Sequence, residues 1–150
     1  MRFVARTATR RELVFGDRTE LNEHSPVEMV ATALAACSAM DVAAILAKKR
    51  QSVESYTVQV EAVQRGEYPQ VLTRVEIVHV VVGPDVSEEA VRQCIELSAT
   101  KYCPVNAMLS AGATEIHHRY RVRNTSVQAF EAEGEVIVTG PYRRPEIVSG

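Results

Sequence analysis

The stretch SPVEMVATALAACSAMDVAAILAKKR, residues 25–50, predicts one long helix around which the rest of the chain is arranged. It begins with Ser25 and Pro26 and has Glu28 three residues after the serine, which signals a helix start with a capping box. It ends on the basic run 48–50, whose charges suit the negative end of a helix dipole. At about 1.5 Å per residue the helix would be roughly 35–40 Å long. The rest of a 150-residue chain must therefore pack around it.

The middle of this helix is rich in small side chains, which let another backbone approach closely. They are Ala31, Ala33, Ala35, Ala36, Ser38, Ala39, Ala43 and Ala44. Helical spacing also places a second set on one stripe, namely Val27, Val30, Leu34, Cys37, Asp41 and Ile45. We therefore expect Cys37 to be buried against a neighbouring helix. By itself this position fits a small apolar side chain that fills a tight contact.

Composition predicts one domain over residues 1–150, with 124–150 as a C-terminal extension of unassigned role. The net charge of −2 and the lack of a basic stripe argue against nucleic-acid binding. The first residues lack the apolar core of an export signal, and no apolar run approaches the ~20 residues of a membrane span. We therefore expect a cytoplasmic protein that does not bind a membrane.

Three cysteines in such a chain should be reduced, and the absence of CxxC gives no support for a metal site. No cofactor is implied either. Cys103 precedes Pro104, which should occupy the first position of a short helix, where converging N–H groups lower a thiol pKa. On this reasoning alone Cys103 is the easier thiolate, while mid-helix Cys37 gains little. Cys94 lies on the apolar stripe of its helix and is assigned to the core.

Alternation and turn residues predict the remaining elements. The predicted strands are Phe3–Thr9, Glu12–Phe15, Tyr56–Gln64, Val71–Val82 and Ile116–Arg123, with Val136–Val138 as an edge strand, and the predicted helices start at Ser87 and at Pro104. His117 and His118 are adjacent in a strand, so they should face opposite ways and cannot form a paired metal site. We expect both to be solvated.

The helix 25–50, followed after a strand hairpin by LSATKYCPVNAML, resembles the family of osmotically inducible and organic-hydroperoxide-resistance proteins. The resemblance spans roughly residues 20–123 and is greatest to a less characterised branch of the family. It implies an α+β fold in which two subunits form an intertwined homodimer, with antiparallel sheets wrapped around long central helices. It also implies a thiol-dependent peroxidase that reduces organic hydroperoxides and is restored by a dithiol reductant. Cys37 would then attack the peroxide and Cys103 would resolve the sulfenic acid as a disulfide.

The chain departs from the family pattern at the residues that would tune the thiol. Active members use an arginine from the N-terminal strands and a glutamate that, in the best-known branch, directly follows the helix-starting proline. Here Val27 holds that place and Glu28 comes one later, about 180° around the helix from Cys37. Glu28 is thus either a capping residue or a functional group that acts across a dimer or from a distorted first turn of the helix. The arginine could be Arg10, Arg11 or Arg18, each of which also fits an ordinary solvated charge.

Asp41 is a further candidate, one helical turn after Cys37 in an otherwise apolar segment. If ionised it would raise the pKa of a neighbouring thiol, and if protonated it would donate a hydrogen bond. It could instead pair with a basic group across an interface. These departures leave a second hypothesis open besides the peroxidase: a non-catalytic dimer that binds a small hydrophobic ligand.

Overall fold

The computed structural model describes residues 2–16 and 23–138, and the predicted α+β class is confirmed. The strands are β1 (Phe3–Arg6), β2 (Glu12–Phe15), β3 (Ser55–Gln64), β4 (Leu72–Gly83), β5 (Glu115–Asn124) and β6 (Phe130–Val138). The helices are α1 (Pro26–Lys48), α2 (Glu88–Leu97) and α3 (Pro104–Ser110), and a π-helical segment, Ser98–Tyr102, joins α2 to α3. Arg18 and the predicted tail at 141–145 lie outside the described residues.

A four-stranded sheet in the order β3-β4-β5-β6 forms the main layer, and β1 and β2 pair as a separate hairpin. The β3–β4 and β5–β6 pairs are antiparallel, but β4 and β5 are parallel. The prediction of antiparallel sheets is therefore wrong at the centre of this sheet. Two helices and the π-helical segment intervene between β4 and β5, and such a crossover returns the second strand in the same direction.

The helices cover one face of this sheet, and the core between them forms two clusters. The first joins α1 to β4 and to the end of the crossover, and includes Leu34, Val75, Ile77 and Cys103. The second joins the C-terminal half of α1 to α2 and β5, and includes Leu46, Ile95 and Val122. The opposite face of the sheet carries ion pairs such as Arg119–Glu76 and Arg123–Glu131.

Helix α1 begins at Pro26 as predicted, with Ser25 at its N-cap in an extended conformation. The Ser25 side chain makes no capping hydrogen bond, so the predicted capping box does not form. The buried face also differs from the predicted stripe, because Val30 is 41% exposed. The buried residues are instead Ala31, Leu34, Ala35, Ser38, Val42 and Leu46. Cys37 lies at the border of this face and is half-buried.

The other face of α1 is apolar and is not covered by any of the residues that the structure describes. A regular stripe of exposed residues runs along it, comprising Ala33, Ala36, Met40, Ala43 and Ala47. By length and composition alone α1 could cross a membrane, contrary to the expectation from its sequence. Such a composition is equally that of a helix at the centre of a folded domain, and α1 packs against the sheet, α2 and α3.

The two adjacent histidines on β5 face opposite ways, as predicted, but the expectation that they are solvated is wrong. His118 is fully buried beneath the helices, next to His79 of β4. His117 is 6% exposed on the other face, where its two ring nitrogens contact the carboxylates of Glu115 and Glu135. Alternation along the strand thus places the pair in two separate polar networks.

Candidate active site

The thiols of Cys37 and Cys103 lie side by side where α3 packs against the middle of α1. Their Sγ atoms are 2.8 Å apart, with the Cys103 thiol donating to the Cys37 sulfur, and both cysteines are free. Cys103 is buried and Cys37 is half-buried. Both pack against the first core cluster. The fold thus joins two cysteines separated by 66 positions in the chain.

The π-helical segment and Pro104 together set the position of Cys103. The Cys103 N–H donates to the carbonyl of Ser98, five residues earlier, at 2.9 Å, which closes the wide turn. Pro104 then starts α3, with Cys103 as its N-cap. The backbone N–H of Asn106 donates to the Cys103 Sγ at 3.3 Å, so the sulfur replaces the usual capping oxygen. Short π-helical insertions are frequent at functional sites.

Asp41 lies near the thiol pair, one turn further along α1. Its carboxylate accepts a hydrogen bond from the Ser98 hydroxyl at 2.9 Å, and Ser38 lies 3.3 Å from the same hydroxyl. This bond ties the π-helical segment to α1. One Asp41 oxygen and the two sulfurs all lie within 4.8 Å of one another, a donor set that would also suit a thiophilic metal ion.

Burial has the largest effect on the electrostatics of Cys103. It raises the pKa of the Cys103 thiol well above its ordinary range, and the adjacent Cys37 raises it further. The N–H groups of Asn106 and Val105 lower that pKa by less. The sequence-based ranking of Cys103 as the easier thiolate is therefore wrong, because desolvation outweighs the helix N–H groups. Cys94 is buried in the second core cluster as predicted, and burial raises the pKa of its thiol to about 11.

The other candidates lie apart from the thiols. Glu28 is exposed in the first turn of α1. It is nine residues before Cys37, and so about 13 Å along the helix axis. Arg10 is exposed in the turn between β1 and β2, with a left-handed φ of 61°.

Glu28 lines an open groove of about 300 Å³ between the start of α1 and strands β3 and β4. The apolar part of its lining comes from Val27, Ala31, Val60, Ala62 and Leu72. Val27 and Val60 also pack on the core cluster that contains the thiols. The groove is thus adjacent to the packing around the thiol pair.

Asn106 and His79 were not singled out from the sequence, although both are fully buried. Asn106 contacts the Cys103 sulfur, and His79 is connected to Asn106 through His118. A signal existed for His79, which occupies an inward position of an otherwise apolar alternation in β4. No such signal in the sequence indicated Asn106, because an asparagine early in a short helix fits an exposed position equally well.

Fold and thiol pair together define an α+β protein with a two-cysteine site, and comparisons identify its class. A family model described as OsmC-like protein matches residues 19–123. The chain belongs to this family, as the resemblance in its sequence predicted.

Individual proteins and solved structures are also similar to this chain. The chain is 36% identical over 120 residues to Protein YhfA of Escherichia coli (strain K12), which covers 80% of this chain and 89% of YhfA. The crystal structure of a hypothetical protein from Aquifex aeolicus VF5 has 31% identity and a TM-score of 0.69, over 81% of this chain and 86% of that one. An organic hydroperoxide resistance protein from Elizabethkingia anophelis shares the fold with 17% identity and a TM-score of 0.52, over 83% and 96% of the two chains.

Proposed function

We propose that this protein is a cytoplasmic thiol-dependent peroxidase that reduces organic hydroperoxides, with Cys37 attacking and Cys103 resolving. The observation that carries the proposal is the 2.8 Å separation of two free sulfurs contributed by different helices. A disulfide has an S–S bond of about 2.05 Å, so only a short approach separates the thiols from that bond. Membership of a family that includes organic hydroperoxide resistance proteins supports the substrate class.

The reaction would proceed in three balanced steps. The Cys37 thiol loses a proton, and its thiolate attacks the terminal oxygen of the hydroperoxide. The O–O bond breaks, Cys37 becomes a sulfenic acid, and the leaving alkoxide takes up one proton to become an alcohol. The Cys103 sulfur then attacks the Cys37 sulfur, forming a disulfide and releasing water. A dithiol reductant attacks that disulfide and leaves both cysteines reduced while it becomes a disulfide itself.

The surroundings of the two cysteines support the order in which they would react. Cys37 is half-buried and accepts a hydrogen bond from Cys103, which suits the group that must be ionised and reached by a peroxide. Cys103 is buried with a raised pKa, so it is held as a thiol until Cys37 is oxidised. Asp41, hydrogen-bonded to Ser98, would orient the segment that presents Cys103.

The exposed faces of the chain support a homodimer. The apolar stripe on α1 needs a cover, and the β1–β2 hairpin leaves Phe3 52% and Val4 53% exposed. We propose that a second copy covers α1 and receives the hairpin. In that arrangement Arg10 or Arg18, and the groove-lining Glu28, would serve the site of the other subunit.

Peroxide consumption by three variants tests the proposal. Wild type should reduce cumene hydroperoxide with a dithiol reductant, whereas Cys37→Ser should be inactive. Cys103→Ser should form a sulfenic acid on Cys37 and then stop. Cys94→Ser is the matched control, because Cys94 lies in the other core cluster and should keep wild-type turnover. Equal rates for wild type and Cys37→Ser would refute the assignment.

A non-catalytic dimer that binds a small hydrophobic ligand is the second candidate, and the groove beside Val27 and Leu72 favours it. Native mass spectrometry against the denatured mass would reveal a copurified ligand. A ligand that survives in Cys37→Ser, with no peroxide turnover in wild type, would favour binding. No bound species and no thermal shift in a ligand screen would count against it.

A further inference from the structure

A continuous chain of buried hydrogen bonds runs from β3 to the helix that carries Cys103. The Tyr56 hydroxyl lies 2.7 Å from His79 Nδ1, and His79 Nε2 lies 3.1 Å from His118 Nδ1. His118 Nε2 is 3.0 Å from Asn106 Oδ1, and the Asn106 side-chain amide donates to the Ala99 carbonyl at 3.0 Å. His79, His118 and Asn106 are 0% exposed.

The direction of every bond in this chain is determined from its end. The Ala99 carbonyl can only accept, so Asn106 donates through its nitrogen and accepts through Oδ1. His118 must then donate through Nε2. Burial lowers the pKa of His118 to about 3 and that of His79 to about 4, so both rings are neutral near pH 7.

A neutral ring that donates at Nε2 accepts at Nδ1. His118 therefore accepts from His79 Nε2, and His79 Nδ1 accepts from the Tyr56 hydroxyl. Both rings are fixed as the Nε2–H tautomer, and no buried side-chain nitrogen or oxygen in the described residues lacks a partner. A reversed bond anywhere would set two donors or two acceptors against each other.

The chain ends on the residue that caps Cys103. Asn106 binds the Cys103 sulfur with its backbone N–H, while its side chain reaches back to Ala99 on the other side of Cys103. Its two contacts thus bracket the turn that presents the thiol. Ser98 ties this turn to α1, and His118 ties it to the sheet.

We infer that His118, oriented by His79 and Tyr56, is a positioning residue that holds Cys103 for its attack on oxidised Cys37. The inference rests on the proposed function and concerns the resolving step alone. His118 acts through Asn106 and not on the reacting sulfurs. Cys37 is held by α1, so its oxidation does not depend on this chain when it is measured without the Cys103 thiol.

The test separates the two steps in the reduced full-length protein. Sulfenic acid formation on Cys37 is measured by trapping in the Cys103→Ser background, and disulfide formation is measured in the intact pair. His118→Leu should slow disulfide formation roughly 10- to 100-fold, the cost of a misplaced reacting group, with trapping unchanged. His118→Gln, which keeps an N–H donor near the position of Nε2, should recover part of that loss.

A milder change tests the far end of the chain. Tyr56→Phe should free His79 Nδ1 and slow disulfide formation without changing trapping. Tyr120→Phe is the matched control, because it also removes a tyrosine hydroxyl, but one that donates to Glu88 and lies outside this chain of hydrogen bonds. In wild type, ¹⁵N NMR should show both buried rings protonated at Nε2 and bare at Nδ1.

Diamide, a thiol oxidant, separates failure of this inference from failure of the peroxidase proposal. It oxidises the pair without a peroxide and still requires Cys103 to attack modified Cys37. If wild type ignores hydroperoxides but His118→Leu slows diamide-driven closure, the peroxidase proposal fails and the inference stands. Unchanged closure in His118→Leu, equal slowing of both steps, or an Nδ1–H tautomer in either ring would overturn the inference.

Discussion

At the scale of single residues, desolvation is the basis for the roles proposed for the two thiols. The N–H groups at the start of α3 favour a thiolate on Cys103, but burial and the neighbouring Cys37 raise the pKa of its thiol by more. A helix terminus lowers a thiol pKa only when its N–H groups outweigh the loss of water. In the proposed mechanism Cys103 would therefore act second, after oxidation of Cys37.

Alkylation of the reduced protein tests this ordering of the thiols. Iodoacetamide should modify Cys37 before Cys103 and Cys94, because burial raises the pKa of both latter thiols. In Cys37→Ala, Cys103 should react faster than in wild type, since its neighbour no longer raises its pKa. Peptide mass spectrometry over time gives the three rates. Faster modification of Cys103 than of Cys37 in wild type would contradict the assignment.

The buried histidines give the folded protein a specific sensitivity to acid. Their ordinary pKa of 6.5 falls to about 4 for His79 and about 3 for His118 on folding. Below pH 6.5 the unfolded chain binds protons that the native rings exclude, so native stability falls with pH. The contribution of the neutral rings to the free energy of unfolding is fully present above pH 6.5. It is lost progressively as the pH falls towards 3–4, at about 1 kcal/mol per pH unit for each ring.

Denaturant unfolding at pH 7.5, 6, 5 and 4.5 measures this slope. His118→Gln should flatten it, because one of the two excluded protonation sites is gone. His24→Gln is the control, since His24 is only half-buried and lies outside the buried chain. An identical slope in wild type and His118→Gln would refute this origin of the pH dependence.

At the scale of elements, the crossover between β4 and β5 builds the site. α2, the π-helical segment and α3 lie within that one connection, so the parallel pairing of two central strands holds Cys103 against α1. The chain must leave β4 at Gly83, close to the backbone that enters β3. A Cβ on Gly83 would lie 1.9 Å from the Ser52 carbonyl oxygen, which explains the glycine.

A matched pair of glycine substitutions tests that close approach. Gly83→Ala should destabilise the protein by about 3 kcal/mol, because the added methyl meets rigid backbone. Gly66→Ala, in the β3–β4 turn with nothing within 4 Å, should change stability by less than about 0.5 kcal/mol. Thermal melts of both variants give the comparison. Equal melting temperatures would show that the Ser52 contact is not restrictive.

The sequence predicted the elements better than their pairing. Pro26, Ser87 and Pro104 marked three helix starts correctly because their effects are local. The parallel β4–β5 pair was missed, since strand direction depends on how the crossover packs. The pairing of the two cysteines was expected from the family resemblance. The burial of His118 was missed because it depends on the helices that cover β5, and the residues next to His118 in the sequence do not indicate them.

At the scale of the whole molecule, one chain leaves its longest helix half covered. Met40 of α1 is 75% exposed within a stripe of alanines. A solvated methionine can be replaced by lysine with little effect, whereas one at a subunit interface cannot. The exposed stripe therefore distinguishes a monomer from the proposed homodimer.

Met40→Lys tests the oligomeric state directly. We expect wild type to elute as a dimer and Met40→Lys to dissociate or lose stability, because the charge would be buried against the second copy. Val127→Lys is the control, at a fully exposed valine after β5. Sedimentation equilibrium of the three proteins measures the change. A monomeric wild type, or an unaffected Met40→Lys, would contradict the dimer.

The long separation of the two cysteines along the chain has a consequence for the stability of the protein against unfolding. A covalent link between them would close a loop spanning 66 positions, which restricts the unfolded chain and is worth about 4 kcal/mol by chain-entropy reasoning. The oxidised molecule would then withstand heat better than its reduced counterpart. Oxidation of the two thiols would therefore also stabilise the protein against unfolding, and this stabilisation would last until a reductant cleaves the disulfide.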